Sequence, residues 1–185
     1  DCNGKMHHLF SELDSGNVVI MEFFHTCPSC AAAVDDIKPM YQKLVAQYGK
    51  KVRFFVTPAD DDYTCTSVLS WVNNNGFSSI VVPFDSGATQ VAYYGGMGMP
   101  TIAIAAGNTH KLLYLANQDV AFATGDTAKI GIAIRNFFSA TGISDEHALI
   151  SRPIFPHPAI DNFTITIETK EAGTLKMELT TITGQ

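Results

Sequence analysis

The sequence predicts an α/β sandwich with a mixed central sheet and flanking helices, plus a short β extension at the C-terminal end. Two observations carry that prediction. Apolar runs of strand length alternate with segments of helical periodicity, and a Cys-x-x-Cys stands where the first such strand runs into the first such helix.

Residues 18–24 (VVIMEFF) form a nearly continuous apolar run, rich in β-branched and aromatic side chains, as expected of a buried strand. The run leads through His25-Thr26 into Cys27-Pro28-Ser29-Cys30. Thr26 suits a helix N-cap, and Pro28 suits the first turn, where the N–H it lacks has no partner. Val34, Ile37, Tyr41, Leu44, Val45 and Tyr48 step by three and four, so an amphipathic helix is expected up to Gly49. Pro39 should kink it, having no N–H for the carbonyl of Asp35.

Residues 51–57 (KVRFFVT) read as a second strand. Residues 64–75 read as a helix with Val68, Leu69, Trp71 and Val72 inward and Gly76 as its stop, and 80–83 as a short strand. Residues 88–94 fit either a short helix or a strand, with the helix preferred. Residues 101–105 and 111–116 read as strands joined by a hairpin-like connection through Gly107-Asn108. A helix over 127–138, with Ile130, Ile134, Phe137 and Phe138 inward, closes the domain.

Composition bounds the function. With 46% hydrophobic and 16% charged residues over 185 positions, there is enough apolar material for a sizeable core. The net charge of −6 repels phosphate backbones and argues against nucleic acid as a partner. No apolar run reaches the roughly 20 residues of a membrane span. The chain opens Asp1-Cys2-Asn3-Gly4, without a basic stretch or apolar leader, which fits a processed chain or a segment of a longer one.

Of the four cysteines, Cys27 and Cys30 pair by spacing. Across a first helical turn that spacing brings two sulfurs within disulfide reach, and unpaired N–H groups there favour a thiolate. Cys27 is then the attacking thiolate and Cys30 the resolving thiol. The pair also fits half of a zinc site, although no second Cys-x-x-Cys or His-x₃₋₅-His follows, or an inert structural disulfide. Cys2 and Cys65 are left over: a structural bridge in an exported protein, two unrelated thiols in a reducing compartment.

The strand VVIMEFF, the motif HTCPSC, the helix after it and Gly98-Met99-Pro100-Thr101 together resemble the thioredoxin-like superfamily over residues 5–140. That resemblance implies a thiol-disulfide oxidoreductase acting on protein thiols and disulfides, with no cofactor beyond the cysteine pair and no metal. It also implies a cis Pro100 beside the disulfide, and a Met99 backbone that pairs with a substrate strand; a trans proline at a strand start is the plain alternative. Two departures stand out. Thr26 occupies the place where thioredoxins usually carry Trp, and the acid assisting the second Cys is offset, since Glu22 lies five residues before Cys27. Glu22 is either a proton acceptor for Cys30 or a strand-edge carboxylate in water. His25 is either a modulator of the thiolate, or a copper ligand with the sulfurs, or a loop residue without special role. The Pro-Ser pair between the cysteines leaves the direction of electron flow open.

Beyond Gly142 the character changes, so 1–142 is expected to be the main domain and 143–158 a Pro-containing linker. Phe155-Pro156-His157-Pro158-Ala159, the strand FTITIE, the strand LKMELTTI and Thr183-Gly184-Gln185 resemble the start of a type IX secretion C-terminal sorting domain, truncated, over 159–185. The plain alternative is a β-hairpin extension. The sorting resemblance implies export machinery as a partner, passage through the periplasm of a Gram-negative bacterium, and a secreted or cell-surface destination. It also permits a Cys2–Cys65 disulfide. A function of a different class remains beside the enzyme: a surface binding protein on a thioredoxin scaffold, its Cys pair structural or metal-binding.

Overall fold

The computed structural model describes residues 1–96, 98–117 and 121–140, with the backbone of residues 150–151 and 167–168. Its centre is β1 (Val18–Phe24), all of whose residues are buried. β1 pairs in parallel with β2 (Val52–Pro58), from Val18↔Val52 to Phe24↔Pro58. On its other side it pairs antiparallel with β4 (Thr101–Ala106), from Val18↔Ala106 to Phe23↔Thr101. The five-stranded order is β3-β2-β1-β4-β5, with β3 (Val82–Pro83) parallel to β2 and β5 (Lys111–Ala116) antiparallel to β4. β4 and β5 are joined through the expected Gly107 connection. The Cys2 N–H donates to the Pro83 carbonyl at 2.8 Å, laying the N-terminal segment along β3.

Alternation along β1 sends Val18, Ile20, Glu22 and Phe24 to one face and Val19, Met21 and Phe23 to the other. The first face carries the larger core, built with α2 (Pro28–Tyr48), α3 (Cys65–Asn74) and α5 (Asp126–Ala140). There Val34, Ile37, Val68, Trp71, Ile130, Ile134 and Phe138 meet Ile20, Phe24, Phe54, Ile102 and Ile104. Phe24 stacks on Trp71 at 4.1 Å. Each large side chain buried this way contributes about 1.5–3 kcal/mol. The second face is covered by two short helices, α1 (Leu9–Asp14) and α4 (Ala88–Tyr93), over Leu13, Val19, Met21, Phe23, Phe55, Val91, Ala103 and Ala105.

α2 runs unbroken through Pro39. Pro39 and Asp35 are both exposed, so water reaches the carbonyl that proline leaves unbonded. Gly49 (φ +59°) and Gly76 (φ +69°) follow α2 and α3 in backbone conformations that a Cβ disfavours, as the sequence predicts. α3 starts from a capping box in which Thr64 accepts from the Ser67 N–H and Ser67 from the Thr64 N–H. The short strand expected over 80–83 pairs only at Val82–Pro83, because Ile80 and Val81 close a turn onto Phe77, their N–H groups donating to its carbonyl. α1 is an element the sequence reading lacked: six residues with only Leu13 buried show no period.

The chain divides into Asp1–Ile143 and Ser144–Gln185. In the second part, β6 (Ile150–Ser151) pairs antiparallel with β7 (Ile167–Glu168). The remainder of the expected linker and sorting-domain strands, including 175–179, lies outside the described residues.

Candidate active site

The chain leaves β1 at Phe24, turns through His25-Thr26 and enters α2 at Pro28, with Cys27 at the N-cap in an extended conformation (φ −104°, ψ 155°). The Cys27 N–H donates to the His25 carbonyl at 2.7 Å, and its own carbonyl accepts from the N–H groups of Cys30 and Ala31. This turn sets the two thiols, both free, with their sulfurs 2.7 Å apart. Cys27 is half-buried, whereas Cys30 is 0% exposed.

The environments push the two thiols apart. Partial burial of Cys27 opposes its ionisation, but hydrogen bonds from the Cys30 thiol, from the Ser29 hydroxyl 3.2 Å away and from the Cys30 backbone outweigh it. They hold Cys27 below the ordinary thiol value. The Cys30 thiol is pushed up to about 12, first by burial, then by the hydrogen bond it shares with Cys27, and further by the charges of Cys27 and Glu22. One thiol is held towards its thiolate while the other keeps its proton.

Glu22 sits in the central strand with 0% exposure, not at a strand edge in water, so that alternative is corrected. An edge carboxylate would need an unpaired side, and β1 has β2 on one side and β4 on the other. Neither carboxyl oxygen has a hydrogen-bond partner among the described residues. Burial, then the charge on Cys27, pushes this carboxyl well above the usual carboxylate range. Its face of β1 is the one α2 covers, which is why its charge is felt at Cys30.

The Met99–Pro100 peptide bond is cis. Since Thr101 pairs with Phe23, Pro100 lies at the end of the sheet from which the Cys27 turn departs. Met99 and Cys27 both pack against the larger core, and the Thr101 hydroxyl fixes the turn by donating to the Gly98 carbonyl at 2.9 Å. His25 faces Asp60, Nδ1 to Oδ2 at 3.4 Å, with both side chains well exposed. Among the described residues, no cluster of three or more His, Cys, Asp or Glu side chains has a metal-holding arrangement. Cys2 and Cys65 are joined by a disulfide, Cα to Cα 5.2 Å.

Tyr63 is a site residue that sequence reasoning missed. Its hydroxyl accepts the Thr26 N–H at 3.3 Å, and its ring stands edge-on to Phe24. Nothing in the sequence signals this, because the two residues are 37 positions apart.

No family model matches this chain, and no curated protein does. Solved structures do. A thioredoxin-like protein from Aeropyrum pernix superposes with a TM-score of 0.53 at 16% identity, over 73% of this chain and 85% of its own. The MTB protein dsbF, in mixed oxidized and reduced forms, gives 0.55 at 15% identity, over 71% and 90%. A thioredoxin-like protein from Porphyromonas gingivalis gives 0.53 at 22% identity, over 68% and 78%. The fold is thioredoxin-like. Within that fold, Cys27–Cys30 supplies the Cys-x-x-Cys at the start of the helix following the central strand. At such identities it is the backbone path that is shared, so the chemistry has to be argued from the thioredoxin-like chain's own side chains. Among the described residues, no helix is long and apolar enough to cross a membrane.

Proposed function

We propose that this chain is an exported thiol-disulfide oxidoreductase working through Cys27 and Cys30. The observation that carries it is a pair of free thiols at the start of α2, their sulfurs 2.7 Å apart. One is half-exposed and held below the ordinary value, the other buried and held above it. The Cys27 thiolate attacks a protein disulfide, forming a mixed disulfide and releasing one substrate thiolate, which takes a proton from water. Cys30 then gives its proton to Glu22 and attacks the Cys27 sulfur. The second substrate thiolate leaves, the Cys27–Cys30 bond forms, and two electrons have passed to the substrate. Run backwards, the same steps oxidise a substrate dithiol. Met99 offers its backbone to the substrate strand beside Pro100.

An extracytoplasmic setting is supported by the Cys2–Cys65 bridge, which needs an oxidising compartment to persist. Passage to the surface of a Gram-negative bacterium through type IX export machinery rests on the sequence alone, on the Pro156-His157-Pro158 entry and the alternating apolar pattern after it.

Insulin reduction followed by turbidity tests the enzyme, with Cys27→Ser as the control. The wild type is expected to precipitate insulin and the variant to match the uncatalysed rate. Equal rates for both proteins would overturn the proposal and leave a binding domain on this scaffold.

A further inference from the structure

Three successive residues carry the chain from β1 towards Cys27, and all three meet one segment, two of them through hydrogen bonds. The Phe24 carbonyl accepts from the Ala59 N–H at 2.9 Å, His25 faces Asp60, and the Thr26 N–H donates to the Tyr63 hydroxyl. The same segment reaches the other side of the site. Asp61 accepts from the Gly87 and Ala88 N–H groups at 3.0 and 3.1 Å, fixing the start of α4, which leads towards Met99–Pro100. Gly87 approaches so closely that a Cβ there would overlap the Pro58 carbonyl and the Thr57 methyl. The far end of the segment is pinned twice, by the Thr64–Ser67 capping box and by the Cys2–Cys65 disulfide.

We infer that residues 59–65 form a brace that positions the Cys27 turn, and that Tyr63 is the positioning residue nearest the thiol. This rests on Cys27 being the attacking thiolate. The physical basis is orientation. The thiolate is stabilised by the Ser29 hydroxyl and the Cys30 groups only while the turn holds the sulfur among them, and a turn freed at Thr26 samples other geometries. Tyr63 touches no reacting atom; it acts through Thr26. The aromatic ring keeps its place against Phe24 in Tyr63→Phe, so that substitution removes the acceptor alone.

The test is the pH profile of Cys27 alkylation by iodoacetamide, with adducts located by mass spectrometry. In Tyr63→Phe the Cys27 midpoint is expected to move up and the rate at neutral pH to fall about threefold, the effect of losing one neutral hydrogen bond. Tyr114→Phe serves as the comparison, because it deletes a tyrosine hydroxyl bonded to Asp126 at 2.9 Å, away from the site. It should lower the melting temperature and leave the profile unmoved. Breaking the far pin with Cys2→Ser/Cys65→Ser should shift the profile in the same direction as Tyr63→Phe. A wild-type midpoint at the ordinary thiol value would overturn the nucleophile assignment itself. A low wild-type midpoint that Tyr63→Phe leaves in place would overturn the brace alone.

Discussion

Cys27 and Cys30 lie three positions apart across one helical turn, with both thiols free, whereas Cys2 and Cys65 are 63 positions apart and bonded. The first pair closes almost no loop, so its bond costs little chain freedom to make or break. What differs between its states is where charge is tolerated, and that is set by Ser29, the start of α2 and buried Glu22. The second pair encloses roughly a third of the chain, and its worth is conformational. The pairs therefore differ in kind: the first suits the exchange proposed for it, the second holds α3 and the segment before it in place.

That division can be broken most directly at the distant pair. Cys2→Ser/Cys65→Ser is expected to lower stability by about 4 kcal/mol, the chain-entropy value for a loop of this length, in guanidinium unfolding. Cys27→Ser should abolish insulin reduction yet move stability by less than about 1 kcal/mol. A reversal of those two results would end the comparison.

A smaller effect is expected where the brace meets α4. Gly87→Ala forces a methyl onto the Pro58 carbonyl and should cost about 1–3 kcal/mol, read from the same unfolding curves.

The tuned pair is sharpened by Glu22→Gln. The folded-state value of Glu22 is raised, so its contribution to stability is complete below the ordinary value of 4.5 and is lost as pH rises through the folded value. Wild-type stability should therefore decline as pH climbs above 4.5 and through the raised folded value, by a slope that Glu22→Gln removes in unfolding measured across the pH scale. With Glu22 as the proposed proton acceptor of Cys30, the same variant should accumulate mixed disulfide. The smallest expected effect is Thr64→Ala, about 1 kcal/mol for the lost cap of α3, seen as a modest fall in melting temperature.

Much of the local pair was legible because its determinants are local. Val18–Phe24 is apolar almost throughout, and Cys27-Pro28-Ser29-Cys30 follows it directly, so strand, turn and helix start could be read together. Glu22 was only half legible. Its distance from Cys27 is in the sequence, but its burial depends on β2 and β4 flanking β1, pairings that join residues more than 30 positions apart. Tyr63 was invisible for the same reason, since its hydrogen bond with Thr26 spans the β1–β2 crossover. α1 escaped because a single buried Leu13 makes no pattern, and α4 was ambiguous because only Val91 is buried in it. Helices of one turn or two are fixed by what they land on.

The hydrogen bond from Cys2 to Pro83 bears on how copies of this chain behave towards one another. A sheet invites growth at its open edges, where unpaired N–H and carbonyl groups can seed pairing with a neighbour. At this edge β3 is two residues long and ends in proline, and the outward Pro83 carbonyl is already taken by the N-terminal segment. The bridge to Cys65 fastens that segment in place. Opening it would bare a templating edge as well as loosen α3, so a reducing environment should make this protein stickier before it makes it unfolded.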